Sequence, residues 1–164
     1  MSVSAKTNQV EADMIAAMVA RIFRQADRFD DSATVGVIVP YRNQIATVRN
    51  AIDRYGIPAL HSITIDTVER FQGSQRDYII YGLTVQQRYQ LNFLTDNVFE
   101  EGGTLIDRKL NVAMTRARKH LTIVGNPDIL SGSAVYRRLM DFMKSRGSYF
   151  NVACEKFCAG DFSV

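Results

Sequence analysis

The sequence predicts an α/β fold with a mostly parallel sheet, and three features carry that reading. Apolar or β-branched runs at Val35–Val39, Ser62–Asp66, Asp77–Val85 and His120–Val124 alternate with segments of helical periodicity. The first run, Val35-Gly36-Val37-Ile38-Val39, is continuous rather than alternating, as in a strand covered on both faces. Short buried strands separated by helices form βαβ units with right-handed crossovers. Such sheets hold ligands at the carboxyl ends of their strands, so the loops of interest are Pro40–Arg42, Thr67–Gln75 and Gly125–Asp128.

Taken in order, Asn8 followed three residues later by Glu11 resembles a capping box. Val10, Met14, Ile15, Met18, Val19 and Ile22 then recur at helical spacing and predict an amphipathic helix to about Arg28. Asp30-Asp31-Ser32 breaks it before the first strand, which Pro40 ends. Tyr41, Ile45, Val48 and Ile52 mark a second helix, stopped at Gly56-Ile57-Pro58. The polar stretch Gln86–Gly103 reads as an exposed loop, and Leu105 to about Arg118 as a helix whose acidic start, Asp107, caps it. A last helix runs from about Ala134 to Lys144, with Gly147 as its stop. The remainder, Ser148–Val164, shows no clear period, so the domain is drawn over residues 1–147 with 148–164 as an unassigned tail.

Composition excludes several classes. A chain of 164 residues, 46% apolar, makes one domain able to fold without disulfides or metals, and it is not a disordered tail. No run is long and apolar enough to span a membrane, and no signal-peptide core is present. Twenty basic residues against 17 acidic ones leave a charge of +3, too small by itself to specify an anionic partner. Two cysteines, Cys154 and Cys158, make no disulfide framework, which predicts a reducing, cytoplasmic setting. They stand four apart, with His61 and His120 remote in sequence, so no metal site is expected.

Two segments contain chemistry. Asp66–Asp77 is a polar connection with a glycine that permits close backbone approach. Arg108, Lys109, Arg116 and Arg118 surround one predicted helix, either as a solvated basic face or as a set aimed at phosphate, for which guanidinium forks are suited. Tyr41 has two readings as well: a ring that stacks a base, or the first residue of its helix's apolar stripe.

Four blocks, in order and spacing, resemble one family. They are Val37-Ile38-Val39-Pro40-Tyr41-Arg42-Asn43-Gln44, Thr67-Val68-Glu69-Arg70-Phe71-Gln72-Gly73 with Asp77-Tyr78-Ile79-Ile80, Leu110-Asn111-Val112-Ala113-Met114-Thr115-Arg116-Ala117-Arg118, and Ile123-Val124-Gly125-Asn126. The chain is similar, over roughly Asn8–Lys144, to superfamily 1 helicases related to the nonsense-mediated-decay RNA helicase and the replication helicase-nuclease. That resemblance implies a three-layer RecA-like (P-loop NTPase-like) domain, the second of two motor domains. ATP and Mg²⁺ would be bound mainly by the first. Thr115-Arg116-Ala117-Arg118 resembles helicase motif VI, which implies that Arg116 is the catalytic finger reaching the γ-phosphate. Gln72-Gly73 resembles motif V, which implies nucleotide contact there; Gln75 stands where the family usually carries an acid for the ribose. Pro40, Tyr41, Arg42 and Thr67 would face single-stranded DNA or RNA.

A P-loop requires Gly-Lys, and none of the ten glycines is followed by Lys. The domain therefore lacks its own P-loop, and an acidic Mg²⁺-binding strand end is missing too. The expectation is a piece of a longer motor, inactive as an ATPase alone, whose partner is the first RecA-like domain of the same polypeptide. A non-enzymatic RecA-like module that binds nucleic acid or protein is the alternative. A motor joined to a nuclease, or serving a defence system, is a further one.

Overall fold

The computed structural model describes residues 6–160 apart from 72, 73 and 97. In chain order its elements are α1 (Gln9–Gln25), β1 (Val35–Val39), α2 (Arg42–Asp53), a short 3₁₀ turn (Pro58–Leu60), β2 (Thr64–Thr67), β3 (Arg76–Gly82), α3 (Arg88–Leu94), β4 (Val98–Glu101), β5 (Thr104–Asp107), α4 (Arg108–Arg116), β6 (Ala117–Val124), α5 (Pro127–Leu130), α6 (Ala134–Ser145) and α7 (Cys154–Cys158). The main sheet has the order β2-β1-β3-β6 with every pairing parallel, and β4-β5 is a separate antiparallel hairpin. The architecture is α/β and RecA-like, as the sequence predicts.

Strand β1 lies between β2 and β3 and is buried along its whole length. Val35, Val37 and Val39 pack on one face with Ala12, Ile15 and Val19 of α1 and Val48 and Ile52 of α2. Ile38 faces the other side, with Tyr81 and Ile79 of β3, Leu91 and Leu94 of α3, Leu110 and Ala113 of α4, and Tyr136 of α6. These two apolar clusters make three layers. Each fully buried Val or Ile contributes about 1.5–3 kcal/mol, so β1 is the main apolar ridge of the domain.

Helix α1 starts as the sequence implies: the Asn8 side chain accepts from the Glu11 N–H (3.0 Å). Its first turn is also tied to the carboxyl edge of the sheet. The Asn8 N–H donates to Gln44 Oε1, and Gln44 Nε2 donates back to the Asn8 carbonyl, both at 2.9 Å. Glu11 Oε1 accepts the buried N–H of Thr84 (2.7 Å), and the Gln86 amide reaches the Thr7 carbonyl. Thr84 has a positive φ of 65°, an unfavourable conformation for a β-branched residue.

Four expectations need correction. Gln86–Gly103 is not an open loop, since it contains α3 and β4; its polar composition conceals short elements whose apolar contacts are tertiary. The helix expected from Leu105 is preceded by β5 and ends at Arg116, and β6 begins immediately at Ala117, so Arg118 lies on a strand. Thr67 is the last residue of β2 rather than part of the following loop. The C-terminal stretch contains α7, whose Phe157 joins the core beside α1.

Burial pushes the Glu11 carboxyl up from 4.5 to about 8, against the lowering effect of the Thr84 N–H. The folded chain therefore keeps a proton that the unfolded chain releases, so this group's contribution is complete below about 4.5 and is lost as pH rises to about 8. Glu11→Gln retains an oxygen for Thr84 and removes the titration. Urea unfolding of the two chains should show the variant gaining on the unsubstituted protein as pH rises through that window.

Candidate functional site

The residues singled out by sequence fall at opposite ends of the sheet. At its amino edge, Arg76 of β3 is in register with Ala117 of β6, the residue after Arg116. Gln75 Nε2 donates to the Thr115 carbonyl (3.1 Å), tying the connection before β3 to the last turn of α4. Arg116 ends α4 half-buried, and its Nε is shielded from solvent with no hydrogen-bond partner among the described residues, as is the Nε of Arg76. A buried donor left unpaired costs about 1–3 kcal/mol.

Arg76 organises the same corner. Its Nη1 donates to Ser74 Oγ and to the Gln75 carbonyl, and its Nη2 to Thr64 Oγ1. The guanidinium lies 5.4 Å from the Phe71 ring centre. Burial, and then the charge of Arg118, lower its pKa from the ordinary value. Gln72 and Gly73, predicted nucleotide contacts, lie outside the described residues.

At the carboxyl edge, Pro40 follows the last residue of β1 and Thr67 ends β2, both buried, whereas Arg42 opens α2 exposed. The Thr67 carbonyl accepts from the N–H groups of Arg70 (3.2 Å) and Phe71 (2.9 Å), which turns the chain sharply. Tyr41 is half-buried, and its ring stacks on Phe93 of α3 with centroids 4.9 Å apart and planes 16° from parallel. Burial pushes the Tyr41 phenol up against the opposing hydrogen bond of Gln90, and the neighbouring Tyr89 phenol pushes it the same way. Tyr41 thus packs against α3 as part of the fold while staying only half-buried.

The four cations around α4 do not converge on one point. Lys109 is only 4% exposed: its Nζ donates to the Phe93 carbonyl (2.7 Å) and to Asp96 (3.1 Å), and sits 4.0 Å from the Phe93 ring centre. Arg108 covers Phe99 at 5.0 Å. Arg118 Nε donates to Asp77 (2.9 Å) and its Nη2 to the Ala33 carbonyl (2.9 Å), with Lys119 also on Asp77 at 3.3 Å. Burial acts to raise the Asp77 carboxyl, but the hydrogen bonds and charges of Lys119 and Arg118 outweigh it and hold it below its ordinary value. Asp107 caps α4 as expected, accepting from the Lys109 N–H (2.9 Å).

Sequence reasoning missed Arg76, Phe93 and Gln90. The sequence places Arg76 in the polar connection Asp66–Asp77 rather than on a strand, and the other two lie in a stretch without periodicity. Among the described residues, no group of three His, Cys, Asp or Glu side chains could hold a metal ion. No helix among them is long and apolar enough to cross a membrane.

The parallel sheet with helices on both faces defines a RecA-like α/β domain, and comparison with known proteins agrees with that class. A family described as an AAA domain matches residues 2–128. The chain is similar to helicase sen1 of Schizosaccharomyces pombe, 32% identical over 141 residues, which is 85% of this chain and 8% of that protein. It is similar to helicase SEN1 of Saccharomyces cerevisiae, 30% identical over 154 residues (92% and 6%). It is also similar to regulator of nonsense transcripts 1 of Dictyostelium discoideum, 34% identical over 116 residues (68% and 8%). The chain belongs to this AAA-domain family, within the superfamily 1 helicases of the nonsense-mediated-decay-helicase-like group. It spans less than a tenth of the length of these three relatives.

The connection between β2 and β3 depends on Gly36 of β1. A Cβ there would lie 2.6 Å from Phe71 Cζ and 3.1 Å from Arg76 Cγ. Phe71 is buried and cannot swing away, so Gly36→Ala should cost about 1–3 kcal/mol in chemical denaturation, as overpacked cores do.

Proposed function

We propose that this chain is the second motor domain of an ATP-dependent helicase, completing a nucleotide site whose P-loop lies on a first RecA-like domain of the same polypeptide. The buried Nε of Arg116, without a partner among the described residues and placed at the end of the motif VI-like helix, is the observation that carries the reading. A guanidinium partly shielded from water at a helix end has less solvent to shed when it meets developing negative charge, which is the physical requirement of an arginine finger. Arg116 therefore reaches the γ-phosphate of ATP when the cleft closes. Gln75 is proposed to hydrogen-bond the ribose through its amide oxygen, without the charge assistance a carboxylate would give. Gln72 and Gly73 contribute nucleotide contacts from the same connection. Mg²⁺, held by the first domain, supplies neutralisation of phosphate charge.

The opposite edge of the sheet is proposed to contact single-stranded DNA or RNA. Arg42 supplies an exposed charge for phosphate, Tyr41 an aromatic surface, and Pro40 and Thr67 the fixed strand ends that hold this loop in shape. Opening and closing of the cleft alternates the grip of the two motor domains on the strand and so produces stepping. Contacts directed at the backbone suit a motor that must not stop at particular sequences.

In the longer protein, Arg116→Ala should lower kcat of nucleic-acid-stimulated ATP hydrolysis by about 10³–10⁵, roughly 4–7 kcal/mol of barrier. Arg116→Lys should recover only part, because an ammonium cannot form the same fork. Unchanged turnover in Arg116→Ala would sink the finger and favour a non-enzymatic binding module.

A further inference from the structure

Helix α3 brings a second aromatic–arginine pair beside the Tyr41–Arg42 pair. Its inner face is anchored by buried Gln90, Leu91 and Leu94. Gln90 Oε1 accepts the N–H groups of Gln86 (2.9 Å) and Gln87 (3.0 Å), which fixes the start of the helix. Its outer face carries Arg88, exposed, and Tyr89, 65% exposed, the most exposed of the large apolar or aromatic residues described. Tyr89 stands one turn before Phe93 on α3, and Phe93 stacks on Tyr41, which brings the Tyr89 ring beside that pair. Phe93, stacked on Tyr41 and backed by Lys109, holds Tyr41 in place. Asp96 is already paired with Lys109, and Glu101 lies toward the tip of the β4–β5 hairpin.

Two rings, each adjoining an exposed arginine, match one occupant. Protein interfaces use Tyr and Arg too, but around a charge-depleted apolar core. Single-stranded nucleic acid presents alternating base faces and phosphates, which rings and guanidinium groups satisfy in turn. We infer that Tyr89, beside Tyr41, forms a base-stacking platform flanked by Arg42 and Arg88, with Phe93, stacked on Tyr41, as the positioning residue. This rests on the proposal that the carboxyl edge faces a single strand, and it adds contact with the bases to contact with the backbone.

The test is fluorescence anisotropy of this chain at low salt with two labelled probes of about 16 nucleotides, oligothymidylate and an abasic backbone. The unsubstituted chain should prefer oligothymidylate. Tyr89→Ala should weaken that probe by between about fivefold and a hundredfold and leave the abasic probe nearly unaffected. Tyr89→Phe should restore the preference, since it keeps the ring. Arg42→Ala should weaken both probes. If Tyr89→Ala matches the unsubstituted chain on both probes while Arg42→Ala still weakens them, the platform is wrong and the strand-facing edge stands. Absence of binding to either probe by the unsubstituted chain would overturn the platform and the strand-facing edge together, and assign the surface to a protein partner.

Discussion

Strand β1 is paired in parallel on both sides, and that one constraint arranges everything functional in the domain. With β2 and β3 both running parallel to β1, the chain leaving β2 at the carboxyl edge must return to the amino edge before β3 can start. Residues 68–75 make that return, with no helix among the described ones, in fewer than the dozen or so residues usual for parallel crossovers. The segment crosses β1 where Phe71 sits over Gly36, so the missing side chain is the space the crossover needs. Thr67 at one end and Gln75 at the other therefore belong to opposite edges of the sheet, though they are close in sequence.

Electrostatics then shows which of the cations near α4 hold the fold together. Lys109 is buried because Asp96, the Phe93 carbonyl and the Phe93 ring replace its water. Arg118 and Lys119 share Asp77, an exposed pair arrangement worth little individually but enough to fix the start of β6. Arg76 spends both Nη atoms on the crossover, while its Nε, like that of Arg116, has no partner among the described residues. Arg116 differs in place, at the end of α4, so position rather than the number of basic residues is the informative property.

Legibility in the sequence followed locality. Strand β1 was readable because burial on both faces leaves a continuous apolar run, and the Asn8 and Asp107 caps were readable because each bonds within three residues. Helix α3 was not, since what stabilises it is Tyr41 and Lys109, both distant in the chain. The start of β6 was mistaken for helix because Arg118-Lys119-His120 is polar, and its true partner Asp77 is 41 residues away. The Gln75–Thr115 link, 40 residues apart, was equally invisible, although Thr115 lay in one of the blocks that resemble the family and Gln75 between the two halves of another. Resemblance pointed to candidate residues; the fold divides them between two edges.

Strand β6, at the end of the described sheet, has a consequence for the behaviour of the chain in solution. An outer strand presents unpaired N–H and C=O groups along one side, a template on which a second copy of the chain could add. Here the exposed first half of that strand carries Arg118, Lys119 and His120. Docking another copy there would crowd like charges and strip their water. At the far side β2 is only four residues long and offers little to extend. The cations that set the register of β6 thus also discourage stacking of sheets into aggregates, which lets a long polar strand stay at the margin without a covering element.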